Sequence, residues 1–227
     1  MSGGRIAAVI LFDLDGTLVD SAADLTAAVN DLRRDLGLAA VPVAQVRKAI
    51  SLGARQILAR GLPELPQARR EAHVEALLET YRGHIGRHDG LFPGLAQVLA
   101  AIEAAGSRWG VVTNKREELA RIVLERLDLS ARCAVLIGGD TLARHKPDPL
   151  PVTTACEWLG VSPSAAVFVG DDPRDVAAGR GAGVRVVAVR WGYHADDDDP
   201  GTWGADAVVD TPGELLQACV LPAGVRH

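Results

Sequence analysis

Two acidic residues, Asp13 and Asp15, stand two positions apart directly after an apolar run that covers residues 6–12. The run predicts a buried strand, and carboxylates at the carboxyl end of a central strand lie where open α/β sheets bind their ligands. Two neighbouring carboxylates repel each other, so the pair is unfavourable without a proton or a cation. The spacing therefore predicts a site for Mg²⁺, which prefers oxygen ligands.

Three further segments place polar side chains at the ends of predicted strands. Thr113 and Asn114 end an apolar strand, and the residues after them open a helix whose free N–H groups can bind phosphate. Lys146 precedes a proline, which restricts it to extended backbone and helps to aim its ammonium group into a cleft. The last segment follows the apolar residues 166–169 and adds the carboxylates of Asp171, Asp172 and Asp175.

The order of these segments, D-x-D-G-T, then Thr, then Lys-Pro, then Gly-Asp-x-x-x-Asp, resembles the four motifs of the haloacid dehalogenase superfamily of phosphotransferases. The motifs fall at strand ends across most of the chain, which argues against coincidence. The resemblance implies that Asp13 is the nucleophile that attacks phosphorus and that Asp15 is the general acid and base. It further implies that Thr113 and Lys146 act in catalysis and bind the phosphoryl group together with Asn114.

The resemblance also implies a set of Mg²⁺ ligands. These are the carboxylates of Asp13 and Asp171 and the backbone carbonyl of Asp15, which are the oxygen donors that Mg²⁺ prefers. The sequence departs from the family at Asp172, where many relatives have a small hydroxyl residue. This departure leaves open which of Asp171, Asp172 and Asp175 bind the metal directly. We expect Asp172 and Asp175 to contact the direct ligands rather than the metal itself.

The elements that must position these groups alternate along the second part of the chain. From residue 94 onward, apolar strands alternate with amphipathic helices, the pattern of a parallel sheet covered on both faces. Right-handed crossovers then favour an α/β fold with a doubly wound parallel sheet, whose strand ends share one edge. The predicted strands cover residues 108–113, 134–137, 166–169 and 185–189, with a weaker one at 207–209.

Residues 21–87 interrupt this alternation with helical patterns and no convincing strand. Ser21 and Asp24 are predicted to form a capping box at the start of the first helix. In the resembled superfamily this is the position of the small helical cap of the subclass that includes phosphoglycolate phosphatases and β-phosphoglucomutases. We therefore expect a catalytic core of residues 1–20 and 88–227, with an inserted helical cap at residues 21–87 that acts as a lid.

The cap of this subclass faces the leaving group, so its charged side chains are candidates for substrate recognition. They include Lys48, Arg55 and His84. We favour Arg55 for binding a substrate carboxylate, because Gly53 in the preceding loop lets the backbone approach closely.

Composition limits the partners of the protein. The chain has 227 residues, a formal net charge of −5 and no basic stripe, which argues against binding to nucleic acid. Its three scattered cysteines suggest neither a disulfide framework nor a zinc site. No stretch approaches the roughly 18 apolar residues of a membrane span, so we expect a cytoplasmic protein without a membrane partner. The oligomeric state is open between a monomer and a homodimer.

The leading hypothesis is a Mg²⁺-dependent phosphatase that hydrolyses a small phosphorylated metabolite, a phosphate monoester, through a phosphoaspartyl intermediate on Asp13. By resemblance, the first candidate substrate is 2-phosphoglycolate. The alternatives within the fold are a sugar-phosphate phosphatase, for example one acting on an amino-sugar 6-phosphate, and a hexose-phosphate mutase, which must exclude water.

Three other classes of protein fit the sequence less well. A haloacid dehalogenase is disfavoured, because those relatives lack the counterpart of Asp15. A signalling receiver domain also places a phosphorylatable Asp, a Thr and a Lys around Mg²⁺, but it is much shorter and has no helical cap. A catalytically silent binding module would have no need of every motif residue.

Overall fold

A parallel β-sheet forms the centre of the molecule. The computed structural model describes residues 5–195 and 197–221. Its strands are β1 (Arg5–Ile6), β2 (Val9–Phe12), β3 (Val19–Asp20), β4 (Gly90–Leu91), β5 (Arg108–Val112), β6 (Leu136–Ile137), β7 (Ala166–Gly170), β8 (Arg185–Val189), β9 (Ala207–Val209) and β10 (Val220–Leu221). Six of them form one sheet in the order β6-β5-β2-β7-β8-β9. The fully buried β2 pairs in parallel with β5 on one side and β7 on the other.

Helices cover both faces of this sheet. They are α1 (Ala22–Asp35), α2 (Val43–Arg47), α3 (Ala54–Gly61), α4 (Gln67–Glu71), α5 (Val74–His84), α6 (Leu95–Ala104), α7 (Glu117–Arg126), α8 (Leu150–Leu159), α9 (Pro173–Ala182) and α10 (Leu215–Ala218). The helices α6 and α7 pack on one face and α8 and α9 on the other. This arrangement confirms the predicted doubly wound α/β fold. Within the described ranges, no helix has the length and apolar character that crossing a membrane requires.

The first predicted strand is divided in the structure. Strand β2 begins at Val9, whereas β1 pairs antiparallel with β10 in a separate two-stranded sheet. Between them, the Ala7 N–H donates to the Cys219 carbonyl and the Ala8 N–H donates to the Ala165 carbonyl. The apolar run of residues 6–12 is divided because its hydrogen-bond partners change, which the residue types of the run do not reveal.

The helices α1 to α5 lie in residues 21–87, which we call the helical segment. The chain enters it through β3 and leaves it through β4, and these two strands pair antiparallel, with Val19 opposite Leu91. Helix α1 packs against α2, α3 and α5. The entrance to the segment lies a few residues after Asp15, so this pairing places the helices next to the strand ends that carry the motifs.

The predicted capping box of Ser21 and Asp24 is wrong. Ser21 makes no side-chain bond at the start of α1. The buried Asp24 carboxylate instead accepts N–H groups from Arg87, His88 and Asp89, and the Asp24 N–H donates to Asp89 Oδ1 at 3.0 Å. Asp24 therefore joins the start of the helical segment to the residues at its end. This long-range contact replaces the local capping box, because it offers the carboxylate several donors instead of one.

Asp89 is expected to make the folded protein less stable as the pH rises. Burial, together with the charge of Asp24, raises the pKa of Asp89 from 3.8 to about 8. The folded protein therefore keeps a proton that the unfolded chain releases, so this contribution to stability is complete below about pH 4 and is lost as the pH rises to about 8. In that window we expect the wild type to lose up to about 1.4 kcal/mol more per pH unit than Asp89→Asn.

Urea unfolding of the two proteins between about pH 5 and pH 7 measures this difference. Other titrating groups are common to both proteins and cancel in the comparison. Parallel loss of unfolding free energy in the wild type and the variant would show that Asp89 does not hold the proton.

Candidate active site

Asp13 lies at the carboxyl end of the central strand β2. Its N–H donates to the Val169 carbonyl at 2.9 Å, and its side chain is almost buried. The neighbouring strands β5 and β7 bring Thr113 and Asp171 to the same edge of the sheet. Parallel strands thus gather motifs that are far apart in the chain at the position where open α/β sheets bind ligands.

Lys146 joins this edge from the loop before α8. Its Nζ lies 2.7 Å from Asp13 Oδ1, 2.7 Å from Asp175 Oδ1 and 2.8 Å from the Val112 carbonyl oxygen. Burial alone would lower the pKa of Lys146, but the charges of Asp13 and Asp175 raise it to about 12. The ammonium group therefore stays charged at the place where it can balance a phosphoryl group.

Three buried carboxylates form a cluster with a spacing that suits a metal ion. One oxygen from each of Asp13, Asp171 and Asp175 lies within 4.8 Å of the others. Burial and the charge of Asp13 raise the pKa of Asp171 to about 7, and burial raises the pKa of Asp175 well above its ordinary value. Acids in this state need protons or a cation. Their all-oxygen donor set fits Mg²⁺.

Asp171 is held in this cluster by donors from three parts of the chain. Thr17 Oγ1 donates to Asp171 Oδ1 at 2.7 Å, the Tyr193 N–H donates to Oδ2 at 2.9 Å, and Ser51 Oγ lies 3.3 Å from Oδ2. Gly16 passes this carboxylate with a φ of +92°, and a Cβ there would collide with Asp171 Oδ2. The glycine of the D-x-D-G-T motif is thus required for the close approach of the backbone to the acid cluster.

Asp172 has a different place from its acidic neighbours. Its side chain caps α9 by accepting the Arg174 N–H at 2.9 Å, and it also accepts Arg174 Nε at 2.7 Å. Its backbone N–H donates to Asp175 Oδ2 at 3.2 Å, which completes a capping box. The structure therefore brings Asp171 and Asp175 to Asp13 and turns Asp172 towards Arg174.

Thr113 and Asn114 directly follow β5, at the sheet edge where Asp13 and Lys146 meet. Thr113 is buried, and its Oγ1 accepts the Lys115 N–H at 3.2 Å. Asn114 Nδ2 donates to the Lys146 carbonyl at 2.9 Å, while its buried Oδ1 has no hydrogen-bond partner among the described residues. Asn114 thus holds the backbone of the loop that carries the lysine.

Lys115 is a residue of this site that the sequence analysis missed. Its Nζ donates to both carboxylate oxygens of Asp15, at 2.8 and 2.9 Å, and to the Tyr81 hydroxyl at 3.0 Å. The ammonium group also lies 4.4 Å from the centre of the Tyr81 ring. Its position directly after Thr113 and Asn114 indicated that it lies near the site. Its partners Asp15 and Tyr81 could not be predicted, because only the fold brings them to it.

A cavity of about 540 Å³ opens from Asp13 towards the helical segment. Its inner end is formed by the polar strand-end residues, including Asp15, Thr113 and Lys146. The opposite part is largely apolar and comes from α1, α3, α5 and α7: Leu25, Ile57, Val74, Leu77, Leu78 and Leu119.

The charged candidates of the helical segment differ in their relation to this cavity. Arg55 lines it, but its side chain is 73% exposed and Nη2 lies 2.7 Å from Glu71 Oε1. His84 Nε2 lies 2.7 Å from Asp31 Oδ2. Lys48 stands at the end of α2 and is not among the described residues that line the cavity.

The family model, the curated relatives and the solved structures that resemble this chain agree on one family. Residues 10–189 match the family model described as haloacid dehalogenase-like hydrolase. The chain is 46% identical over 218 residues to a phosphoglycolate phosphatase of Xanthomonas campestris pv. campestris (strain 8004), covering 96% of this chain and 99% of the relative. It is 42% identical over 213 residues to an N-acetylmuramic acid 6-phosphate phosphatase of Pseudomonas aeruginosa, covering 91% and 92%. The crystal structure of a predicted phosphoglycolate phosphatase from Haemophilus somnus 129pt superposes with a TM-score of 0.82 at 27% identity, covering 93% of this chain and 97% of that one.

Proposed function

This chain belongs to the haloacid dehalogenase-like hydrolase family, and we propose that it is a Mg²⁺-dependent phosphatase of a small phosphate monoester, with 2-phosphoglycolate as the first candidate substrate. The observation that supports this best is the contact of 2.7 Å between Lys146 Nζ and Asp13 Oδ1 at the end of β2. A nucleophile and a buried cation stand there beside the acid cluster and face the cavity. Phosphoryl transfer depends on this kind of positioning and charge neutralisation.

In the proposed reaction, a carboxylate oxygen of Asp13 attacks phosphorus in line with the ester oxygen, and the bond from phosphorus to that oxygen breaks. Lys146, fixed by Val112 and Asp175, balances negative charge on the transferring group. When bound at the acid cluster, Mg²⁺ would supply the remaining charge neutralisation. Water then attacks the phosphoaspartyl group, releases inorganic phosphate and regenerates the Asp13 carboxylate.

Asp15 is the proposed proton donor and acceptor of both steps. An alkoxide is a poor leaving group unless it is protonated, and Asp15 would enter the cycle protonated and give it that proton. The resulting carboxylate would then accept a proton from the attacking water. In the described state both oxygens of Asp15 accept bonds from Lys115, which orients the carboxylate beside the cavity.

Asp15→Asn is expected to be impaired in a way that depends on the leaving group. For an alkyl ester such as 2-phosphoglycolate we expect a loss of roughly 10²- to 10⁴-fold in kcat, because general acid catalysis is removed. An activated aryl phosphate such as p-nitrophenyl phosphate needs less proton donation and should lose less in single-turnover formation of the aryl alcohol. Equal losses for the two esters would remove Asp15 from the acid role in the first step.

We further propose that the helical segment acts as a cap that closes over the bound substrate. Two contacts tie it to the strand ends: Arg116 Nη2 lies 2.5 Å from Glu75 Oε1, and Arg174 Nη2 lies 2.5 Å from the Ser51 carbonyl. Opening of the segment would break both contacts and admit substrate. The same segment supplies most of the apolar part of the cavity, so it would also select the leaving group.

The size of the cavity favours a second candidate substrate, an amino-sugar 6-phosphate such as N-acetylmuramic acid 6-phosphate. A volume of about 540 Å³ lies in the range of sites that hold drug-sized ligands and exceeds what a two-carbon glycolate group fills. The apolar part of the cavity would suit the acetyl and lactyl methyl groups of this sugar. The P. aeruginosa relative of this name is 42% identical to this chain, against 46% for the X. campestris phosphoglycolate phosphatase.

Release of inorganic phosphate from a panel of esters with Mg²⁺ tests the proposal. The panel contains 2-phosphoglycolate, N-acetylmuramic acid 6-phosphate, N-acetylglucosamine 6-phosphate and hexose phosphates, and kcat/KM ranks them. The highest value for one of the first two esters would identify the substrate. Isomerisation of a hexose phosphate without phosphate release would indicate a mutase, and no turnover of any ester would overturn the proposal.

A further inference from the structure

Lys115 is a buried cation on the leaving-group side of the cavity. Its side chain is 7% exposed, and it lies between the Asp15 carboxylate and the Tyr81 ring of α5. Because Asp15 must lie beside the ester oxygen to protonate it, the atoms that follow this oxygen lie close to the same ammonium group.

The other cations that line the cavity within the described residues have different positions and partners. Lys146 pairs with Asp13 and Asp175 at the phosphoryl end. Arg174 pairs with Asp172 and contacts the Ser51 carbonyl.

The two remaining arginines of the lining lie at its rim. Arg55 and Arg116 are 73% and 48% exposed, and they pair with Glu71 and Glu75. Water competes with a substrate anion at such exposed positions, so an ion pair there contributes little. Lys115 is therefore the cation best placed to attract a group on the leaving-group side.

The surroundings of Lys115 strengthen its interaction with an anion. Leu25, Leu77 and Leu119 line the adjacent cavity, so the charge faces a region of low dielectric where charge-assisted hydrogen bonds are strong. An ammonium group has three N–H donors. A ligand carboxylate could take the place of the Tyr81 hydroxyl while Lys115 keeps a bond to Asp15.

We propose that Lys115 determines substrate specificity by binding a carboxylate carried on the leaving group, a short distance from the ester oxygen. This inference rests on the proposed phosphatase function and narrows its substrate class to carboxylate-bearing alkyl phosphates. It assigns to Lys115, on the core side of the cavity, the part in substrate recognition that the sequence analysis predicted for Arg55.

The test uses pairs of esters that differ in the carboxylate. One pair is 2-phosphoglycolate and 2-hydroxyethyl phosphate; the other is 3-phosphoglycerate and glycerol 3-phosphate, which has a hydroxymethyl group in place of the carboxylate. For each pair, kcat/KM for the carboxylate ester is divided by kcat/KM for its partner without the carboxylate. We expect Lys115→Met to lower this ratio by about tenfold to a hundredfold, because one charge-assisted bond is lost.

The ratio separates recognition from orientation of Asp15. All four esters have alkyl leaving groups and need the same proton, so a displaced Asp15 would reduce both members of a pair equally. Equal losses in Lys115→Met would therefore overturn the inference and leave Lys115 as a residue that positions Asp15. Lys115→Arg keeps the charge and should retain most of the ratio, and Lys115→Gln replaces Lys115→Met if the latter does not fold.

Arg116→Gln and Arg55→Ala are the matched controls, since each removes a cation from the rim. We expect both to leave the ratio within about threefold of the wild type. A selective loss in Arg55→Ala without one in Lys115→Met would return carboxylate binding to Arg55 and overturn the inference. A wild type that hydrolyses both members of each pair equally would overturn the inference alone, whereas one that hydrolyses none would overturn the proposed function together with it.

Discussion

Asp13→Asn is expected to abolish turnover and to leave the fold intact. The amide cannot attack phosphorus, so kcat should fall by roughly 10⁴-fold or more, the scale of nucleophile removal in other enzymes. The variant should be as stable as the wild type or more so, for two reasons. The Asn carbonyl can still accept the bond from Lys146 Nζ that Asp13 Oδ1 accepts now. Removal of one charge also relieves the repulsion that raises the pKa of Asp171.

Phosphate release measures the loss of turnover. Thermal unfolding and near-ultraviolet circular dichroism measure whether the fold stays intact. Asp35→Asn is the matched control, because it makes the same chemical change at an exposed position on α1. It should have wild-type activity. Turnover by a well-folded Asp13→Asn protein at a rate comparable with the wild type would exclude Asp13 as the nucleophile.

Removal of the metal is the second change with a large expected effect. Exhaustive chelation should reduce activity on the order of a thousandfold or more, and added Mg²⁺ should restore it, because a bound cation contributes several kcal/mol of charge stabilisation. A readout independent of activity is the midpoint of thermal unfolding. It should rise with Mg²⁺ concentration, since in the proposed assignment the ion binds the folded acid cluster and not the unfolded chain.

The pH dependence of this effect follows from the acid cluster. Asp171 has a pKa of about 7, raised by burial and by the charge of Asp13, so protons compete with Mg²⁺ below neutrality. The Mg²⁺ concentration needed for half-maximal activity should therefore fall as the pH rises through about 7. Full activity after complete metal removal would contradict the assignment.

Substitution of each acid after β7 should show which of them binds the metal. Asp171→Ala should raise the required Mg²⁺ concentration far more than Asp175→Ala, because the family resemblance implies that Asp171 is a direct ligand, whereas Asp175 Oδ1 already pairs with the charged Lys146. Asp172→Ala removes a helix cap and should lower stability by about 1 kcal/mol with little effect on the metal. The reverse order of the first two variants would move the ligand assignment along the loop.

Local pattern was sufficient for the features of this protein that depend on a few neighbouring residues. Strands β8 and β9 appear where the apolar runs 185–189 and 207–209 predict them. The acids and the lysine of the motifs meet at one edge of the sheet. They do so because strands joined by crossover helices run parallel, and parallel strands all end on the same side. The α/β class, the family and the class of chemistry follow from these features.

Other features required partners that are distant in the sequence. Ser21 and Asp24 have the spacing of a capping box, yet Asp24 binds the N–H groups of residues 87–89. Of the three acids that follow β7, one caps a helix and two join Asp13, although their types are identical. Side-chain direction separates them, and rotamers are set by the surrounding packing.

The sequence by itself determined which groups can do chemistry and which strand ends carry them, because spacing and periodicity act within a few residues. Only the tertiary structure decided that Lys115 lies between Asp15 and Tyr81, and that apolar residues of four helices form the far part of the cavity. Those relations join segments that are many residues apart. They arise when burial of apolar surface and pairing of buried charges are satisfied for the whole chain at once.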